Sequence, residues 1–157
     1  MIGQVFIFIL AGLIFVLILG YGYRAINNFI ARGAEVQLLD FRNELESMVN
    51  TIKRDYGSVQ RVELRVPTQT EEACFVSNAE DVPGAWETDL QQKYPLVYNA
   101  WTTGTENVFL IPRQPTPLLV QDIMVDAGYV CVPAVNGKVS LRVEGTGNRA
   151  KINPWQQ

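Results

Sequence analysis

The chain has 157 residues, a formal net charge of −3 at pH 7 and no histidine. Without histidine the chain lacks the commonest general base and the commonest metal ligand, and its two cysteines cannot by themselves fill a tetrahedral zinc site. The acidic balance gives no basic face for nucleic acid. We therefore expect no cofactor, no metal and no nucleic-acid partner, and the length suits one modest domain beside a membrane segment.

The first 23 residues form an uncharged segment. Val5–Leu19 is continuously uncharged, and with its flanks the apolar run reaches about 20 residues, the length that a helix needs to cross a bilayer. A secretory signal would have a basic start and a small-residue cleavage site, and this segment has neither. Tyr21 and Tyr23 stand where an interfacial aromatic belt would lie, just before Arg24. The sequence predicts a retained transmembrane helix over 1–23, with membrane lipid as its partner.

The helical pattern continues over 24–57 as an amphipathic helix. Its apolar residues are spaced alternately by four and three positions, a heptad-like stripe, and Gly57 suits the position after a helix end near Tyr56. The stripe can pack on the domain's own sheet, or it can mediate self-association into a bundle. The residues of the stripe are Ala34, Leu38, Phe41, Leu45, Met48 and Ile52.

From residue 58 to residue 157 the apolar pattern changes to a period of two, which predicts a β-rich globular domain. Asn136-Gly137 predicts a type I′ turn that joins 129–135 to 138–144 in a hairpin. The segment 86–101 favours short helical turns broken at Pro95. The fold class is therefore α+β: a small, mostly antiparallel sheet covered by the long N-terminal helix. The other predicted strands are 62–66, 73–77, 107–111, 118–124 and 149–152.

Cys74 and Cys131 both fall within predicted strands, among apolar neighbours. They form either a disulfide or two buried free thiols in a reducing compartment. A disulfide would stabilise the fold by about 4 kcal/mol on the chain-entropy model and would place the domain on the oxidising side of the membrane. The positive-inside rule points the other way, because arginines follow the span and none precedes it. We favour the disulfide and an extracytoplasmic domain.

Aromatic residues cluster between positions 86 and 101, and they either pack within the domain or present a surface to an envelope or surface ligand. The acidic pairs Glu71–Glu72 and Glu80–Asp81 lie in predicted loops and are interpreted as solvated. No nucleophile–base arrangement or phosphate-binding loop is present, so we expect a protein that is not an enzyme. The candidate surface residues are Trp86, Tyr94, Tyr98 and Trp101.

An apolar helix that begins near residue 4, its amphipathic continuation and a small C-terminal sheet together resemble an archaeal type IV pilin. Gly3-Gln4 carries the local resemblance, because class III pilin leaders are cleaved just before a glutamine that opens the helix. The resemblance implies cleavage between Gly3 and Gln4, and a filament core of bundled helices with the sheets outside. The residues implied in helix assembly are Val5, Phe6, Phe8, Ile9, Leu13, Phe15 and Val16.

Three functions are compatible with these features. The first is a structural subunit that homopolymerises into a surface filament. The second is a single-pass extracytoplasmic binding module that presents its aromatic segment to a ligand. The third is an accessory subunit of a membrane enzyme or secretion complex, with the apolar helix docked against other helices. The resemblance favours the filament subunit.

Overall fold

The computed structural model of the chain describes residues 2–77 and 84–155. It divides into two compact units, Met1–Val36 and Gln37–Gln157. Helix α1 spans Ile2–Ile52, so its distal part belongs to the second unit. Two short helices follow in that unit, α2 (Trp86–Lys93) and α3 (Pro95–Trp101). Pro95 is the first residue of α3, where a missing N–H costs nothing, and the predicted break at this proline is confirmed.

The strands of the second unit form two sheets rather than one. The first sheet has the order β1-β6-β7-β4 and the second has the order β3-β2-β5. β4 pairs with β7 in parallel, and the other pairs among the described residues are antiparallel. The predicted α+β class with a mostly antiparallel sheet is confirmed. The strands are β1 (Val59–Arg65), β2 (Glu72–Val76), β3 (Val108–Ile111), β4 (Ile123–Met124), β5 (Tyr129–Pro133), β6 (Lys138–Gly145) and β7 (Ala150–Pro154).

The distal part of α1 contributes one face to the main core. Phe41 and Leu45 are fully buried there with the inward side chains of both sheets. This arrangement confirms that the amphipathic stripe packs on the domain's own sheets. The stripe is wider than predicted, because Val49 is also buried. Met48, which was predicted to belong to the stripe, is only partly buried. The side chain of Ala34 lies outside the described residues. The core residues of α1 are Leu38, Phe41, Leu45, Val49 and Ile52.

The end of α1 rests against β6. The helix ends at Ile52, four residues before the predicted limit, and the chain leaves it through a turn over 53–57 whose last residue bonds to the sheet. The Gly57 N–H donates to the Gly145 carbonyl at 2.8 Å, and the Gly145 N–H donates to the Ser58 carbonyl at 3.0 Å. A Cβ at Gly145 would lie 2.1 Å from the Ile52 carbonyl oxygen. Only glycine fits this close approach.

The second sheet is buried on both faces. Along β2, Ala73 and Phe75 enter the main core, whereas Cys74 and Val76 enter a smaller cluster beneath α2 and α3. Such a strand reads as a continuous apolar run because both of its faces are covered. The second sheet therefore lies between the main core and the two short helices.

The predicted hairpin is wrong beyond its turn. Asn136 and Gly137 both have positive φ, 53° and 70°, as a type I′ turn requires, and Val135 bridges Lys138. The flanking strands then separate: β5 pairs with β2, and β6 pairs with β1 and β7. Both edges of β6 are thus already occupied, and β5 joins the other sheet.

The predicted strand at 118–124 is also mostly absent, since only β4 is formed there. The buried side chain of Asn107 replaces the ladder: its amide donates to the Val120 carbonyl at 2.8 Å and accepts from the Val120 N–H at 2.9 Å. The Leu118 carbonyl accepts the Asn107 and Val108 N–H groups at 3.0 and 3.1 Å. This segment is therefore held by the Asn107 side chain and by a single antiparallel bridge from Leu118 to Val108 at the start of β3, instead of by a continuous ladder.

Candidate functional site

The apolar half of α1 has uncovered side chains. Ile7–Ile26 is long and apolar enough to cross a membrane by length and composition, and none of it is buried inside the protein. The exposed fraction is 75% for Phe8 and 63% for Phe15. A segment that is apolar on every side needs lipid or another apolar surface around it. The residues predicted for helix assembly that show this exposure are Phe8, Ile9, Leu13, Phe15 and Val16.

The remaining N-terminal predictions concern residues at the start of α1. Gly3 and Gln4, the predicted cleavage pair, lie within the helix bounds, but their side chains are outside the described residues, as are those of Val5 and Phe6. At the other end of the apolar segment, Tyr21 and Tyr23 are both exposed. Aromatic side chains at this position are typical of a membrane interface.

Cys74 and Cys131 form a disulfide across the second sheet. They are directly opposite in the register of β2 and β5, with Cα atoms 4.0 Å apart. Such a short distance is typical of a non-hydrogen-bonded antiparallel pair. Cys74 is fully buried beside α3, whereas Cys131 is partly exposed. Among the interpretations of the two cysteines, the disulfide is the one that the structure shows.

The aromatic residues of 86–101 lie on the outer face of the second sheet. The Trp86 and Trp101 rings meet edge to face with centroids 5.2 Å apart, and Tyr98 lies 6.1 Å from Trp101. All are half-buried against the cluster that contains Cys74 and Leu90. Their buried sides hold α2 and α3 on the sheet, and their outer sides remain accessible.

Two tyrosine hydroxyls fix this layer through carboxylates. The Tyr94 hydroxyl donates to Glu72 at 3.1 Å, and the Tyr129 hydroxyl donates to Asp89. Burial, followed by the neighbouring carboxylate, raises the pKa of Tyr94 and of Tyr129. The Tyr129 hydrogen bond, followed by that of Lys93 at 3.0 Å, lowers the pKa of Asp89. The tyrosines thus stay protonated as donors while Asp89 stays ionised.

An apolar groove lies between α3 and β3. Its volume is roughly 230 Å³. Its walls are mainly aromatic and aliphatic, and Leu96 is 70% exposed at its mouth. Lys93 and Arg113 are the charged residues of its lining, and both are cations. Apolar walls with a few convergent polar groups are typical of a binding site. The apolar lining consists of Tyr94, Pro95, Leu96, Val97, Phe109, Leu110 and Ile111.

The acidic residues form no metal-binding group among the described residues. Glu72 accepts the Tyr94 hydrogen bond, and Glu106 is buried beside the guanidinium of Arg113. Glu80–Asp81 lies outside the described residues. The acidic side chains that can be placed thus have structural partners or face solvent.

Sequence reasoning missed Tyr129, Lys93 and Arg113. The alternation along β5 could have placed Tyr129 on the same face as Cys131. No local pattern assigns Lys93 and Arg113 to one groove, because they lie 20 positions apart and line it only in the folded domain. Of the four predicted aromatic residues, the structure places Tyr94 in the groove, whereas Trp86 and Trp101 contact each other beside it.

Comparison with known proteins adds no relative. No protein-family model matches the chain, and neither a curated protein nor a solved structure matches it.

Proposed function

We propose that the chain is a structural subunit of a type IV pilus-like surface filament, anchored in the membrane before assembly and polymerised through the apolar half of α1. The observation that carries the proposal is the contrast within one helix. The part from Ile7 to Leu19 is apolar all round and uncovered, whereas the distal part is buried in a folded domain. Helix bundling would cover the apolar half without lipid.

Two further features support the proposal. The disulfide is typical of a domain that works in an oxidising compartment, which supports an extracytoplasmic location. Gly3-Gln4 precedes the exposed segment at the position where a class III leader would be cut. In the assembled state the domain would form the outer face of the filament, and the helix would form its core.

The first test is the intact mass of membrane-extracted protein from a host with a class III leader peptidase. We expect a mass short by Met1–Gly3, and a variant Gly3→Leu should keep the full length and remain in the membrane. In the same experiment, unreduced denatured protein should resist thiol alkylation. A full-length mass would contradict the leader, and two freely alkylated cysteines would contradict the orientation.

The second test separates assembly from anchoring. The double variant Phe8→Ala/Phe15→Ala keeps an apolar span but changes its shape, so filaments sheared from the surface should be lost while the membrane fraction is unchanged. The matched control is Leu39→Ala, an exposed apolar residue of the same helix in the second unit. Electron microscopy of sheared fractions measures the outcome. Wild-type protein that stays monomeric would overturn the proposal and favour the membrane-anchored binding module.

A further inference from the structure

β3 is an edge strand of the second sheet, and its backbone groups alternate in direction. It pairs with β2 on one side only. The Val76 N–H donates to the Asn107 carbonyl at 2.9 Å, which continues the ladder past the end of β3. Antiparallel residues bond to a given neighbour at every second position. The Asn107 carbonyl and the backbone groups of Phe109 and Ile111 therefore face β2, whereas Leu110 directs its groups to the open edge.

The hydrogen bonds between β2 and β5 independently show which residues of β2 bond to β5 and which bond to β3. The Ser77 N–H donates to the Gly128 carbonyl and the Ala134 N–H donates to the Glu71 carbonyl, both at 2.8 Å. Odd-numbered residues of β2 thus bond to β5. Cys74 then bonds to Phe109, as its non-hydrogen-bonded position opposite Cys131 also requires.

The open edge is capped for half of its length. The Val108 N–H donates to the Leu118 carbonyl at 3.1 Å, so the first outward position is covered. At the second outward position, the N–H and C=O of Leu110 have no hydrogen-bond partner among the described residues. Backbone groups at a largely buried residue normally find a partner. Leu110 is only 2% exposed and lines the groove between α3 and β3.

The groove has the other features of a strand-binding site. Phe109 and Ile111 present their side chains toward α3, and an added strand would place alternate side chains over this same face. Lys93 and Arg113 are the exposed cations of its lining, and each is paired with a carboxylate outside the lining, Lys93 with Asp89 at 3.0 Å and Arg113 with Glu106. The site thus offers one backbone donor and acceptor, an apolar wall and two exposed cationic side chains for whose N–H groups an incoming carboxylate would compete with Asp89 and Glu106.

We propose that this groove binds an extended peptide segment, which adds to β3 by pairing with the backbone of Leu110. One apolar side chain of the segment enters between α3 and β3, and a carboxylate on the same face meets Lys93 or Arg113. A peptide fits better than a simple amphiphilic acid because only a peptide supplies both the carbonyl and the N–H that Leu110 needs. This inference does not depend on polymerisation.

The experiment uses amide hydrogen exchange of Leu110, measured by NMR on the full chain in detergent micelles. The probe is acetyl-Thr-Val-Thr-Glu-Thr-amide, in which Val and Glu lie on one face of the strand. At a peptide concentration of ten times its Kd, exchange at Leu110 should slow about tenfold. The matched peptide with Lys in place of Glu should bind more weakly, and the peptide N-methylated at the central Thr should not slow exchange.

Variants at the mouth of the groove separate its two recognition elements. Arg113→Gln and Lys93→Gln should each weaken the peptide by about two- to fivefold, as expected for exposed charges, and Leu96→Glu should weaken it further. Lys138→Gln, an exposed cation on the first sheet, is the control and should change nothing. A Leu110 amide that is already protected without peptide, or one that the peptide leaves unprotected, would overturn the proposal. So would decanoate that shifts the groove resonances while peptide does not.

Discussion

The two parts of helix α1 share one secondary structure but have different surroundings. The part from Ile7 to Leu19 is apolar on every side and uncovered, whereas the distal part carries an apolar stripe that is buried and a polar face that is not. The backbone conformation is the same in both parts. The distribution of apolar residues around the helix therefore decides which part joins a domain core and which part leaves its apolar side chains uncovered.

The largest difference between the two parts should appear when one phenylalanine is truncated in each. Phe41→Ala removes a fully buried ring from the main core, and we expect a loss of about 3–5 kcal/mol in the free energy of unfolding. Phe15→Ala, the matched change in the apolar half, should alter that free energy by less than about 0.5 kcal/mol. Urea unfolding of detergent-dispersed protein, followed by tryptophan fluorescence, measures both.

Equal losses for the two variants would contradict this division of the helix. A loss of free energy of unfolding from Phe15→Ala, with none from Phe41→Ala, would mean that the exposed half supports the domain and the buried stripe does not.

The next effect concerns the disulfide, which stabilises the second unit but not the apolar helix. Cys74 and Cys131 are 57 positions apart, and closing a loop of this size restricts the unfolded chain. Cys74→Ala/Cys131→Ala should lower the free energy of unfolding of the domain by about 2–4 kcal/mol, with the helicity of the apolar segment unchanged. Reductant should reproduce the loss in the wild type and have no effect on the variant, as urea unfolding with and without reductant can show.

Two glycines lie in contrasting environments, so replacing each with alanine should change the stability in opposite directions. Gly145→Ala places a Cβ against the Ile52 and Asp55 carbonyls and should destabilise the domain by about 1–3 kcal/mol. Gly33 has no neighbouring atom within 4 Å of an added Cβ, so Gly33→Ala should favour the helix by about 0.5–1 kcal/mol. Thermal unfolding monitored by circular dichroism measures both. A neutral Gly145→Ala would show that the helix end does not rest tightly on β6.

The sequence was sufficient for the features that depend on local periodicity. The apolar run, the amphipathic stripe, the alternation along β1 and β6 and the turn at Asn136-Gly137 each follow from neighbouring residues. The mid-strand positions of Cys74 and Cys131 were equally visible, although only the register of β2 with β5 places them opposite each other.

The features that depend on distant pairing were not visible. A turn signal shows that the chain reverses but not which sheet the next strand joins, so the hairpin prediction failed after Val135. Asn107 replaces a strand ladder with side-chain hydrogen bonds, which no apolar period could indicate. The groove needs Lys93 and Arg113 from separate elements, and its free backbone at Leu110 follows only from strand order.

The smallest expected effect is a pH dependence of the stability of the second unit. The hydrogen bonds from Tyr129 and Lys93 lower the pKa of Asp89 below its usual value of 3.8. A carboxylate with a lowered pKa contributes stability that is present above the usual pKa and is lost as the pH falls through the lowered one. Tyr129→Phe removes the hydrogen bond that lowers the pKa of Asp89 the most, and it keeps the ring that packs against Tyr94.

The wild type should therefore be more stable than Tyr129→Phe at neutral pH, and this difference should shrink as the pH falls below the usual carboxyl pKa of 3.8 and through the lowered pKa of Asp89. Tyr98→Phe is the control, since Tyr98 makes no hydrogen bond to a carboxylate among the described residues, and its difference from the wild type should not follow this course. Urea unfolding across this range measures both differences. A Tyr129→Phe difference that is constant with pH would show that the hydroxyl acts through packing and not through the ionised Asp89. Because Asp89 lies on α2 and accepts the Tyr129 hydrogen bond, acid should loosen the contact between α2 and β5 while leaving the apolar half of α1 unchanged.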